Sequence, residues 1–218
     1  MRVKICGLTQ VQQAIEITSL GANSIGFICV ERSPRYISPL KIKEIAVSLP
    51  ASVDKVGVFA DCSLEEISQV VETARLTSVQ LHGAESLEFC DRLRQVLPQI
   101  ELIKAFRIKT SATLQDTIPY WDRVDTLLLD AYHPQMLGGT GHTLDWQNLQ
   151  QFEPTIPWML AGGLNPDNIN DALDRLQPDG IDLSSGVERS PGDKDLTKVT
   201  RLFEQSAIVR QFFLANLR

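Results

Sequence analysis

Regular alternation constrains this chain more than any other feature of it. Short apolar, β-branched runs recur eight times: RVKIC at 2–6, SIGFIC at 24–29, DKVGVF at 54–59, SVQLH at 78–82, ELIKAF at 101–106, DTLLLD at 125–130, PWMLA at 157–161 and DGIDL at 179–183. Between them the apolar residues return with helical spacing, most clearly at 9–20, 38–49, 63–75, 85–96 and 166–176, and a last helix begins within 195–205. A strand followed by a helix and then another strand, repeated at a period of about 25 residues, implies parallel strands joined by crossover helices.

Eight such units fit an α/β fold in which the sheet closes on itself, a single (βα)8 TIM barrel over residues 1–218. An open doubly wound sheet is the rival, but no GxGxxG follows the first strand, and ICGLTQ is not a nucleotide loop. No linker, low-complexity segment or break in composition divides the chain. Local signals agree. Ser63 with Glu66 forms a capping-box pattern, and Ser38-Pro39 and Asn165-Pro166 each place a capping residue before a proline at a first helical turn. Pro119 makes the segment between the fifth and sixth strands the weakest helix.

Apolar residues make up 43% of the 218, enough for a full core, and the net charge is −6. That balance argues against a nucleic-acid groove or an anionic membrane surface as the main partner, while leaving room for a local phosphate site. The four cysteines, Cys6, Cys29, Cys62 and Cys90, make no CxxC pair and no zinc spacing with histidine, so neither a metal site nor a disulfide framework is expected. No signal peptide and no apolar run of 18 residues is present, which predicts a soluble, cytoplasmic chain without a membrane partner.

In a barrel of this kind the chemistry lies where strands end. Cys6 ends the first strand. Lys4 shares its face one layer below, where an ammonium would lower the thiol's pKa, and it is counted among the substrate-binding residues. Asp130 follows three leucines, an abrupt change that suits an acid with a raised pKa in an apolar pocket, although an aspartate capping a turn is the ordinary role. Gln80 and His82 share a face of the fourth strand, and His82 is open to three roles: ligand contact, core residue or catalyst. Arg35, in RSPRYIS, is either a solvated loop residue or a clamp for a carboxylate. AGGLNPDNI and DLSSGVE end strands seven and eight. Gly162, Gly163, Ser184, Ser185 and Gly186, beside Asp182, would let backbone amides approach a phosphate. The glycine-rich LGGTGH, 137–142, suits a lid over the pocket.

Taken together and in order, KICGLT, GFICVERSPRYIS, KVGVF, VQLHG, LLLDA, GGTGHTLDW, AGGLNPDNI and DLSSGVE resemble the phosphoribosylanthranilate isomerases of tryptophan biosynthesis, from residue 3 to about 188. The resemblance implies a barrel fold and an Amadori rearrangement of a small-molecule phosphoribosyl substrate, without a cofactor or metal. It implies Cys6 as general base, Asp130 as general acid, Arg35 on the anthranilate carboxylate, and phosphate held near Gly163, Ser185 and Gly186. A monomer is expected rather than a homodimer. His142 stands where the family varies. A related isomerase of histidine synthesis carries an aspartate at the position of Cys6, which favours the tryptophan reaction here. A phosphate-binding barrel without catalysis is the rival of another class, and retention of both Cys6 and Asp130 argues against it.

Overall fold

The computed structural model describes residues 1–108, 111–130 and 146–205. Eight parallel strands, β1 Arg2–Cys6, β2 Ser24–Ile28, β3 Asp54–Phe59, β4 Ser78–Leu81, β5 Glu101–Arg107, β6 Thr126–Asp130, β7 Trp158–Ala161 and β8 Gly180–Leu183, pair in chain order. The sheet closes where β8 meets β1, with Lys4 opposite Asp182. The expected strands differ from these by one residue at most at either end. The helices are α1 Val11–Ser19, α2 Pro39–Ala46, α3 Leu64–Ala74, α4 Leu87–Val96, α5 Ser111–Gln115, α6 Ile169–Arg175 and α7 Leu196–Phe203.

Two local expectations need correction. α6 begins at Ile169, not beside Pro166, because Asn165 and Asn168 first build a turn. The Asn165 side chain accepts from the Asp167 amide at 2.8 Å, and Asn168 accepts from the Asn165 amide at 2.9 Å. Ser38 does occupy the position before α2 with a proline after it, but its side chain makes no capping bond. The Ser63 capping box forms in full, with bonds of 2.8 and 3.2 Å. The weak fifth connection is the short α5 followed by a single 3-10 turn at Ile118–Tyr120. Between β6 and β7 the described part is a 3-10 turn at Trp146–Leu149. The 137–142 loop and His142 lie outside the described residues.

Alternation along the strands sorts the side chains into two cores. Outward residues such as Val3, Ile5, Ile25 and Leu81 pack with Ile17, Ile42, Ile67 and Leu93 of the helices in one large cluster. A separate cluster of Val56, Ile103, Ala105, Leu128, Met159 and Ala161 fills the barrel interior. At the strands' N-terminal ends the interior closes on charge. Arg2 donates to both oxygens of Glu101, at 2.5 and 2.8 Å, and pairs with Asp54 at 2.9 Å. The Ser78 and Thr126 hydroxyls also donate to Glu101, at 2.7 and 2.9 Å. This plug fills the lower end, and the open cavity lies at the other end.

Burial pushes the Glu101 carboxyl up, but Arg2, Ser78 and Thr126 outweigh it and hold it below its usual value. A depressed folded-state pKa gives stability that is present above the unfolded value, about 4.3, and lost as pH falls through the folded one. Glu101→Ala should therefore cost about 3 kcal/mol at pH 7 by leaving two hydroxyls without their acceptor and Arg2 with Asp54 alone. In urea unfolding the gap between variant and wild type should narrow below pH 4 or so. A gap independent of pH would contradict this account of the plug.

Candidate active site

At the C-terminal ends of the strands the barrel opens into a cavity of about 910 Å³, bordered by Cys6, Asp130, His82 and the loops after β2, β7 and β8. Its size is within the range that holds a small-molecule ligand. Of the expected site residues, Arg35, Gln80, Gly162, Gly163, Asp182, Ser184, Ser185 and Gly186 also border it. Lys4 does not. It was expected among the ligand contacts, but it is wholly buried beneath the floor, because its ammonium reaches across to both oxygens of Asp182 at 3.0 Å.

Cys6 has room for its sulfur because residue 26 is glycine. A Cβ there would come within 2.6 Å of the Cys6 sulfur and 3.0 Å of the Lys4 ammonium. The Ser184 hydroxyl donates to the Cys6 carbonyl at 3.1 Å, tying the end of β1 to the end of β8. The thiol departs from expectation. Burial raises its pKa, Lys4 opposes this, Asp182 adds to it, and the balance leaves it above the ordinary value. Lys4 is shared with Asp182, and its pull alone does not overcome desolvation. For Lys4 itself burial works against the charge, but Asp182 and Cys6 more than restore it.

Asp130 follows the expected direction. Burial raises its pKa, the Asp182 charge raises it further, and Arg107 works against both. His82 is pushed down to about 4, first by burial and then by Arg107, Lys4 and Lys104. It is therefore neutral at pH 7. Its Nδ1 meets the Gln80 amide nitrogen at 3.0 Å, and its Nε2 stands 3.8 Å from Asp130. With Nδ1 accepting from Gln80, the ring's proton is on Nε2. Gln80 borders the cavity, and among the described residues its buried side-chain oxygen has no hydrogen-bond partner.

The loops after β7 and β8 pack against each other. Gly162 and Gly163 both have positive φ, and a Cβ at Gly186 would lie 1.9 Å from the Leu164 carbonyl oxygen. Ser185–Val187 forms a short turn of 3-10 helix. Among the described residues no acceptor meets the amides of Gly163, Ser185 or Gly186, so an anion can take them.

Several residues went unassigned in the sequence. Arg35 is not a free clamp: Glu188 holds its Nε and Nη2 at 2.7–3.1 Å. Glu188 stands at the end of DLSSGVE, so its segment was visible, but its partner was not. Lys104 and Glu85 form a buried pair at 2.8 Å, and Glu85 accepts from the Gly83 amide, which fixes the loop after His82. Arg107 ends β5 opposite Asp130 in register.

Comparison with known proteins follows this geometry. Residues 3–205 match the family model for N-(5'phosphoribosyl)anthranilate (PRA) isomerase. N-(5'-phosphoribosyl)anthranilate isomerase of Rippkaea orientalis is 60% identical over 205 residues, covering 94% of this chain and 95% of that one. The crystal structure of phosphoribosyl anthranilate isomerase from Thermotoga maritima superposes with a TM-score of 0.86 at 36% identity, covering 94% and 97% of the two chains. A second structure of such an isomerase, in complex with reduced 1-(o-carboxyphenylamino)-1-deoxyribulose 5-phosphate, gives 0.81 at 34% identity, with 94% and 97% covered.

The His82 environment gives a direct expectation. In an NMR titration of the free protein its ring should stay neutral through pH 6 and protonate near pH 4. A midpoint near the usual value of about 6.5 would mean that the ring is not desolvated as described.

Proposed function

The chain belongs to the N-(5'-phosphoribosyl)anthranilate isomerase family, an isomerase of tryptophan biosynthesis, and from that premise we propose that Cys6 is its general base and Asp130 its general acid in an Amadori rearrangement. The observation that carries this reading is that both groups border one cavity, with the Asp130 pKa raised by burial toward the range of a proton donor. The substrate is N-(5′-phosphoribosyl)anthranilate and the product 1-(2-carboxyphenylamino)-1-deoxyribulose 5-phosphate.

Each step follows from the residue types. Phosphate sits on the amides around Gly163, Ser185 and Gly186, and the anthranilate carboxylate on Arg35. Protonated Asp130 gives its proton to the ribose ring oxygen. The C1′–O bond breaks as the nitrogen lone pair forms an iminium. That iminium acidifies the C2′ proton, which the Cys6 thiolate removes. The electrons form a C1′–C2′ double bond and neutralise the nitrogen. The enolamine then takes a proton at C1′ and loses one from its hydroxyl, giving the ketone. The iminium is the electron sink, so the reaction is self-contained without a cofactor. Gln80, His82 and Asp182 supply hydrogen-bonding groups to the ribose. Burial raises the Asp182 carboxyl above its usual value, and Lys4 from beneath works against that rise.

Substitution tests the two roles. Cys6→Ser and Asp130→Asn should each lower kcat by about a hundredfold or more, since general acid or base catalysis is worth that much. Loss of substrate fluorescence reads the rate. A variant that keeps wild-type turnover would move its role to another residue.

The two pKa directions predict an unusual pH profile. The thiol lies above its usual value of about 8.5, and the carboxyl above its usual value of about 3.9. With the carboxyl the more acidic of the two, as their ordinary values order them, thiolate with carboxylic acid is the minor form between the two pKa values. Its population is flat between the two pKa values and falls outside them. The acidic limb of kcat/KM should therefore follow Asp130 and the alkaline limb Cys6. Alkylation of Cys6 by iodoacetamide should inflect at the same pH as the alkaline limb. An inflection of thiol reactivity on the acidic limb would reverse the assignment.

A further inference from the structure

We propose that Glu188 is a positioning residue that aims Arg35 at the substrate's aryl carboxylate. This rests on the reading that Arg35 takes that carboxylate. Glu188 begins β9 (Glu188–Ser190), which pairs with β10 (Asp193–Lys194) as a small antiparallel hairpin after β8. Its carboxylate receives Arg35 Nε at 3.0 and 3.1 Å and Nη2 at 2.7 Å. It receives Lys194 Nζ at 2.7 Å and the Gly192 amide at 3.1 Å. The Glu188 side chain is 4% exposed and that of Lys194 is fully buried, while Arg35 keeps 23%. The carboxylate is thus fixed on the hairpin, and the arginine is the partner that reaches the cavity.

The contact is side-on. A guanidinium is planar, so fixing Nε and Nη2 fixes the direction of Nη1 as well. The Nη1 edge faces away from Glu188 and is the one left for a ligand. The stem is held too: a Cβ on Gly7 would come within 2.8 Å of Arg35 Cδ, so the arginine passes over the glycine that follows Cys6. Two cations share one carboxylate, so the cluster keeps a net positive charge for an incoming anion. The hairpin is anchored at its turn and at its first residue. Thr9 donates to the Gly192 carbonyl at 2.7 Å, and Lys198 donates to the Glu188 carbonyl at 3.0 Å. Glu188 is therefore a rigid backstop.

The test is a double-mutant cycle of Arg35→Ala and Glu188→Gln, read as KM and kcat and as the Kd of the reduced product analogue. Thermal midpoints follow folding. If Glu188→Gln alone does not fold with Lys194 left unpaired, Glu188→Gln with Lys194→Met takes its place. Arg35→Ala should raise KM at least tenfold or so, and Glu188→Gln should raise it by about tenfold with kcat changed far less. In the Arg35→Ala background Glu188→Gln should add little. Should Arg35→Ala raise KM while Glu188→Gln does not, the positioning role fails and the carboxylate reading stands. Should the two effects add in full, Glu188 acts by another route and the proposal is overturned. Should Arg35→Ala leave KM unchanged, the carboxylate reading itself fails and takes the proposal with it.

Discussion

One buried ion pair, Lys4 with Asp182, underlies the rest of this molecule. It joins the first strand to the last, at the seam where the sheet becomes a barrel. An ammonium and a carboxylate taken out of water are costly unless each meets the other in good geometry. Here the nitrogen meets both oxygens at 3.0 Å. The pair lies directly below Cys6, and its two charges act in opposite senses on the thiol. Its carboxylate also raises Asp130. A pair that closes the fold therefore also acts on both groups assigned to the chemistry, on Cys6 through both charges and on Asp130 through Asp182.

The barrel interior is graded along its axis. Arg2 and Glu101 seal the lower end, an apolar layer fills the middle, and ionisable groups crowd the upper end. The apolar layer matters to the site because it withholds water from the floor. Desolvation is the largest influence on Cys6, on Asp130 and on His82. It opposes charge in all three. It favours the neutral thiol, the neutral carboxyl and the neutral imidazole.

Much of this was legible in the sequence. The strands fell within a residue of expectation because a closed parallel barrel repeats one pattern, and each repeat reports on the others. The capping box at Ser63 was visible because capping is local. The glycines after β7 and β8 were readable because such loops demand backbone freedom there. The start of α6 was missed because Asn165 and Asn168 compete as caps and build a turn before the helix. The hairpin after β8 was missed because β10 is two residues long, too short to carry any periodicity.

What the sequence determined by itself is the architecture and the chemical cast: a thiol, a carboxylate and glycine-rich loops at strand ends, all set by local pattern. What only the tertiary structure decided is who neighbours whom. Lys4 and Asp182 are 178 positions apart, and Arg35 and Glu188 are 153 apart. A pKa depends on burial and on charges a few ångströms away, and no local window reports either. So the direction expected for Cys6 reversed, the arginine gained a partner, and the lysine moved from the cavity wall to its foundation.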